Sequence, residues 1–233
     1  MNNNTENITF LFLNFKKFII VVLDEKDKVI YKKETSIENS NNNIELKIFS
    51  EFLNQNIFKI EKELNEFIKI IHIIIDHEDI YTVNLSIKNK IDNILLTTNT
   101  INNLLLEANN CCKETLINTE VIHFRIDQFL IDNINYKTLP NKQTCKDLSI
   151  DLSLICISKN VLKDLEKILG KFQISLGKTF CYKYLNSFSE TKNINFYEIA
   201  RKAMHGLDEN DVILMRKTTK NHKFFEKFFN FFN

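Results

Sequence analysis

The chain has three glycines, one proline and no tryptophan in 233 residues. A glycine-rich phosphate loop or a dinucleotide fingerprint needs backbone that reaches phosphate with no Cβ in the way, and Gly170, Gly177 and Gly206 are too few and too scattered to build either. ATP and NAD sites of the common kinds are therefore not expected. Charge of one dominant sign is also lacking: 31 Lys+Arg against 30 Asp+Glu leave a formal net charge of +1, which argues against a nucleic-acid partner. The five cysteines form no CxxC pair, and an odd count without a secretory leader reads as reduced thiols in a cytoplasmic protein. Long apolar runs are missing too. The longest, around Ile70 to Ile75, is broken by His72 and closed by Asp76, well short of the ~18 residues of a membrane span.

What is present suits an α/β protein with enough apolar content, 44%, for one large domain or two small ones. Apolar runs Ile8 to Leu13, Phe18 to Leu23 and Val29 to Tyr31 predict an antiparallel meander. Residues 46, 49, 53, 57, 60, 64 and 67 then repeat at helical spacing, and the β-branched IKIIHIII follows as a strand buried on both faces. A second unit opens at YTVNLSI and continues with a helix striped by Ile101, Leu104, Leu105, Ala108, Cys112 and Leu116. EVIHFRID and QFLID follow as strands, and DLSIDLSLICI turns Leu148, Ile150, Leu152 and Leu154 inward and Ser149, Asp151 and Ser153 outward. Asn160 is a candidate cap for the next helix, which Gly170 helps to close, and ISLGKTFCYKYL returns as a strand. The expected divisions are 1–80, 81–186, a short helix and strand over 187–215, and a tail over 216–233.

The tail carries the strongest functional signal. On a helical wheel Phe224, Phe225, Phe228, Phe229, Phe231 and Phe232 share one side, six of the chain's twenty phenylalanines. Lys217, Lys220, Lys223 and Lys227, with Arg216, surround them against a single acid, Glu226. As a helix the segment is ~16 Å long against a hydrocarbon core of ~30 Å, so it suits lying in an interface rather than crossing it. The six phenylalanines and four lysines are the candidate membrane-binding residues, with an anionic leaflet as partner. A partner's groove or the protein's own core is the other resting place for such a face.

The remaining chemistry-bearing residues read as structural. His72, His77 and His123 show no metal-ligand spacing, so no metal is expected. Cys111 and Cys112 lie mid-helix beside Lys113, with Cys112 on the apolar stripe. Asp127, Asp132, Asp147 and Asp151 read as a solvated strand face rather than catalytic carboxylates.

The order of elements, EVIHFRIDQFLIDN, the stretch LSIDLSLICISKNVLKDLEKILGKFQISLGKTF and the tail FFEKFFNFF together resemble FtsA, the bacterial actin-like cell-division family. His123, Asp132, Asn160, Leu165 and Ile174 fall where that family's insertion-subdomain pattern puts them. The resemblance implies a truncated actin-like, ribonuclease H-like first subdomain, an FtsA-type strand-helix-strand-strand insertion subdomain and a C-terminal amphipathic helix. It departs at the first hairpin, where Phe12 stands at the family's phosphate-loop Asp and Asn14 at its Gly, leaving Lys17 in place. The second actin half, with its second phosphate loop, has no counterpart. The implied protein uses no cofactor and is not an enzyme: a membrane-associated adaptor in cell division or envelope assembly, cytoplasmic and peripheral on the inner face of the membrane, with other envelope proteins or a second copy as partners. The alternatives are a pilus or secretion-system cytoplasmic scaffold, or a soluble oligomer with the Phe-rich tail packed between subunits.

Overall fold

The computed structural model describes residues 7–38, 44–140, 143–192 and 195–213. The described residues divide into two compact units, one within 7–81 and 157–204, the other within 82–156 and 205–213. The tail residues from Phe224 to Phe232 and Lys217 to Lys227 lie outside the described residues.

The first unit is a mixed sheet. Strands β1 (Ile8–Leu13), β2 (Lys17–Leu23) and β3 (Val29–Ser36) form the expected meander, followed by helix α1 (Leu46–Leu64) and strand β4 (Ile70–Ile75) parallel to β1. The register pairs Phe10 and Phe12 with Val21, Ile19, His72 and Ile74 on one face, and Leu11 and Leu13 with Ile20 and Phe18 on the other. Helix α1 covers the second face, with Phe18 against Phe49 and Phe52 at ring distances of 5.5 and 6.0 Å. Because both faces are covered, β1, β2 and β4 carry continuous rather than alternating apolar runs. The predicted stripe on α1 holds at Phe49, Leu53, Ile57 and Ile60, but Phe67 is exposed. Asn65, at φ 52°, closes the helix in the left-handed conformation two residues earlier.

The second unit takes the connection between β4 and the chain's return to the first sheet. It contains α2 (Thr98–Thr115), β6 (Thr119–Ile131), β7 (Ile134–Tyr136) and all but the terminal residues of β5 (Tyr81–Leu95) and β8 (Thr144–Ser158). The predicted stripe on α2 is buried from Ile101 through Cys112 against Phe124, Ile126, Leu148, Ile150, Leu152 and Leu154. Thr97 caps this helix by accepting the Thr100 N–H.

After β8 come α3 (Lys159–Gly170), β9 (Ser175–Cys181), α4 (Tyr182–Lys192), α5 (Phe196–Ala203) and β10 (Asp211–Val212). The sequence places residues 157–186 with the insertion, whereas here α3 and β9 belong to the first unit: β9 runs parallel to β4 and completes the order β3-β2-β1-β4-β9. The expected strand through Leu185 also ends at Cys181, and Tyr182 starts a helix. Ser158, rather than Asn160, is the cap of α3, its hydroxyl accepting the Asn160 N–H. Helix α5 covers the face opposite α1, where Tyr197 lies 6.4 Å from Phe10. Its Arg201 reaches the β2–β3 turn and binds the carbonyls of Asp24 and Glu25 and the Asp27 carboxylate.

One glycine is indispensable in this sheet. The β4–β9 register breaks between Ile71 and Ile73, opposite Gly177, and a Cβ there would lie 2.6 Å from His72 Nδ1 and 2.8 Å from Ile70 Cγ2. Gly177→Ala is expected to lower stability by ~1–3 kcal/mol through overpacking, read as a fall in the urea midpoint. Combined with His72→Ala, the two losses should be less than additive, because the ring that clashes is gone. An unchanged midpoint for Gly177→Ala would rule out this packing.

Candidate functional site

The first hairpin is the place where the resembled family holds phosphate. Here Asn14 Oδ1 accepts the backbone N–H groups of Lys16 and Lys17 at 3.0 and 2.8 Å. Two of the hairpin's N–H donors are thus consumed within the turn, whereas an anion cradle requires them to point outward. Lys17, the one family-like residue left, pairs with Glu34 at 3.0 Å. Phe12 is 3% exposed and packs edge-on to Tyr182 at 5.1 Å and against Phe196 at 5.6 Å. Tyr182 and Phe196 meet edge-on at 5.3 Å, so three rings close around the position that the resemblance gives to the metal-linked carboxylate.

A second polar group lies inside the same sheet. His72 Nδ1 accepts the Lys178 N–H at 3.0 Å, across the register break, and its ring lies 5.7 Å from Phe10. Burial, reinforced by the Lys178 charge, holds its pKa down at about 4. Burial also lowers Lys178, whose ammonium donates to the Met204 carbonyl just beyond the end of α5, where the helix dipole favours a cation. Tyr197 is buried with no hydrogen-bond partner for its hydroxyl among the described residues, and burial raises its pKa. These groups fix β9 and α5 in place, and no nucleophile, base and orienting group come together among them.

In the second unit the carboxylates are occupied by serines and backbone. Asp151 accepts from Ser86 at 2.5 Å and Gln128 at 2.6 Å, and Asp127 accepts from Ser153 at 2.5 Å. Asp132 and Asn133, both at positive φ, form the two-residue turn between β6 and β7. The Asp132 carboxylate also collects the N–H groups of Lys146 and Asp147 at 2.9 Å, and those bonds lower its pKa. The conspicuous acid of the family pattern thus holds two successive N–H groups of β8. Asp147 faces Lys88 at 3.3 Å. Arg125 bridges Asp208 at 2.9 Å and Asp211 at 3.3 Å, tying β10 to β6; nothing local in the sequence signals this pairing. Four of the five thiols are buried, and burial pushes Cys156 up to about 11 and raises Cys112, Cys145 and Cys181. Ser149, expected outward, is also buried.

Among the described residues no helix is long and apolar enough to cross a membrane. No protein-family model matches the chain, and no curated protein matches it. Among solved structures, the chain is similar to the cytoplasmic domain of EpsL, an inner-membrane component of the type II secretion system of Vibrio cholerae, with TM-score 0.35 and 10% identity over 76% of this chain and 56% of that one. It is also similar to a PilM-PilN type IV pilus biogenesis complex, with TM-score 0.49 and 6% identity over 80% of this chain and 50% of that one. A Bacteroides thetaiotaomicron protein with an actin-like ATPase fold gives 0.32 and 13% over 80% and 57%. The chain spans about half the length of each.

The buried imidazole yields a pH prediction. Its folded pKa of about 4 lies below the ordinary 6.5, so the unfolded chain binds the proton first. The contribution is complete above pH 6.5 and is lost as pH falls toward about 4, on the order of 3 kcal/mol in all. His72→Gln should flatten this part of a stability–pH curve measured by urea unfolding. Parallel curves for the two proteins would contradict the buried neutral histidine.

Proposed function

We propose that the chain is a non-catalytic docking scaffold of actin-like ancestry, with a truncated first subdomain interrupted by an FtsA-type insertion and with the Phe-rich tail as membrane anchor. The observation that carries this reading is the first hairpin, where Asn14 takes the N–H groups of Lys16 and Lys17 and Phe12, Tyr182 and Phe196 fill the space beside it. A chain that keeps the layers of this fold while closing its phosphate turn retains surfaces for other proteins, not a reaction. Of the two versions of the scaffold, we carry forward envelope assembly of the secretion or pilus kind, in line with the EpsL and PilM-PilN likenesses, with cell division as the alternative. Placement on the inner face of the membrane rests on Phe224, Phe225, Phe228, Phe229, Phe231 and Phe232 and on Lys217, Lys220, Lys223 and Lys227.

Co-sedimentation with vesicles containing anionic lipid, with and without Mg-ATP, tests both parts. The full chain should bind and a chain ending at Arg216 should not, with the same bound fraction whether nucleotide is present or absent. Equal binding of the two chains would remove the anchor. Recruitment that depends on Mg-ATP would remove the non-catalytic reading.

A further inference from the structure

The ends of the two sheets are guarded unequally. At one end of the first sheet, β3 presents Lys32, Lys33 and Glu34 in succession, charges that discourage another strand. At its other end, β9 is broken in register at Gly177 and carries the inward Lys178. In the second sheet one end is closed by β10, only two residues long. The other end is β5, a fifteen-residue strand with no neighbour beyond it in the strand order of the described residues. From Thr82 to Ile87 this strand has no charge, no proline and no glycine. Its polar side chains already look back into their own sheet: Ser86 donates to Asp151, and Asn84 lies 3.2 Å from the Ser153 hydroxyl. Val83 and Leu85 are only partly buried against the core beneath.

We propose that this edge is a self-association surface, on which a second copy of the chain lays its own β5 antiparallel, so that the two four-stranded paths join into one sheet. The inference goes beyond the scaffold reading and does not depend on it. An incoming strand has to be apolar on the face that continues Val83 and Leu85, polar on the face that continues Asn84 and Ser86, and uncharged along its middle. The same six residues of a second copy meet all three conditions. With the two-fold axis at Asn84, Thr82 faces Ser86, Val83 faces Leu85 and Asn84 faces itself, the isologous arrangement of a closed dimer. In that register Lys88 and Lys90 of each copy never face a lysine. They run instead toward the residues that precede β5 in the other chain, where Glu78 and Asp79 supply the opposite charge.

A residue opposite its own copy allows a test specific to this register. Sedimentation velocity of the full chain should show a concentration-dependent monomer–dimer equilibrium. Asn84→Lys alone and Asn84→Asp alone each place like charges face to face and should weaken the dimer at least tenfold, whereas an equimolar mixture of the two pairs Lys with Asp and should recover it. Hydrogen exchange supplies a second readout that needs no variant: amides of residues 82–87 should exchange more slowly as the concentration of the unmodified protein rises. A chain that stays monomeric at its highest soluble concentration would overturn the proposal. So would variants that dimerise as tightly as the parent, or exchange at residues 82–87 that is independent of concentration.

Discussion

The first sheet is buried on both faces, and much of the rest of the molecule depends on that constraint. A strand between two helical layers has no solvated side, so Phe10 to Leu13, Phe18 to Leu23 and most of β4 are apolar without alternation. A polar group in such a sheet needs a partner within the sheet. His72 finds one in the Lys178 N–H, which requires that Gly177 have no side chain, and Lys178 in turn holds the carbonyl of Met204. The same two-sided burial turns Phe12 into the aromatic layer of Tyr182 and Phe196. Among these rings an unpaired carboxylate at position 12 would be strongly destabilising.

The sequence was legible wherever one residue's environment is set by its near neighbours. The meander, the stripe on α2, the two-faced β4 and the inward leucines of β8 follow from spacing alone. Local pattern misled in two instructive places. EVIHFRID and QFLID read as two strands because burial changes parity between Ile126 and Phe129; the structure keeps one strand, in which Asp127 and Gln128 both bond side chains of β8. ISLGKTFCYKYL read as one strand, yet β9 ends at Cys181 and Tyr182 starts α4.

Long-range pairing was beyond local reading. β4 and β9 meet across about a hundred residues of chain, and no periodicity within residues 175–181 says which sheet will receive them. The clamps at Arg125 and Arg201 are of the same kind, each joining residues more than eighty positions apart. The site residues were legible by chemistry more than by role. Asn14 and Phe12 stood out as departures from a phosphate loop, but only the hydrogen bonds show that Asn14 itself occupies the N–H groups of Lys16 and Lys17.

The closed hairpin is the central claim, and the amide signals of Lys16 and Lys17 report on it directly. In a two-dimensional amide NMR spectrum titrated with Mg-ATP to millimolar concentration, both signals should stay in place, because their protons are already bonded to Asn14. A saturable shift of either signal, absent when magnesium is added alone, would show that the turn opens to phosphate and would contradict the account.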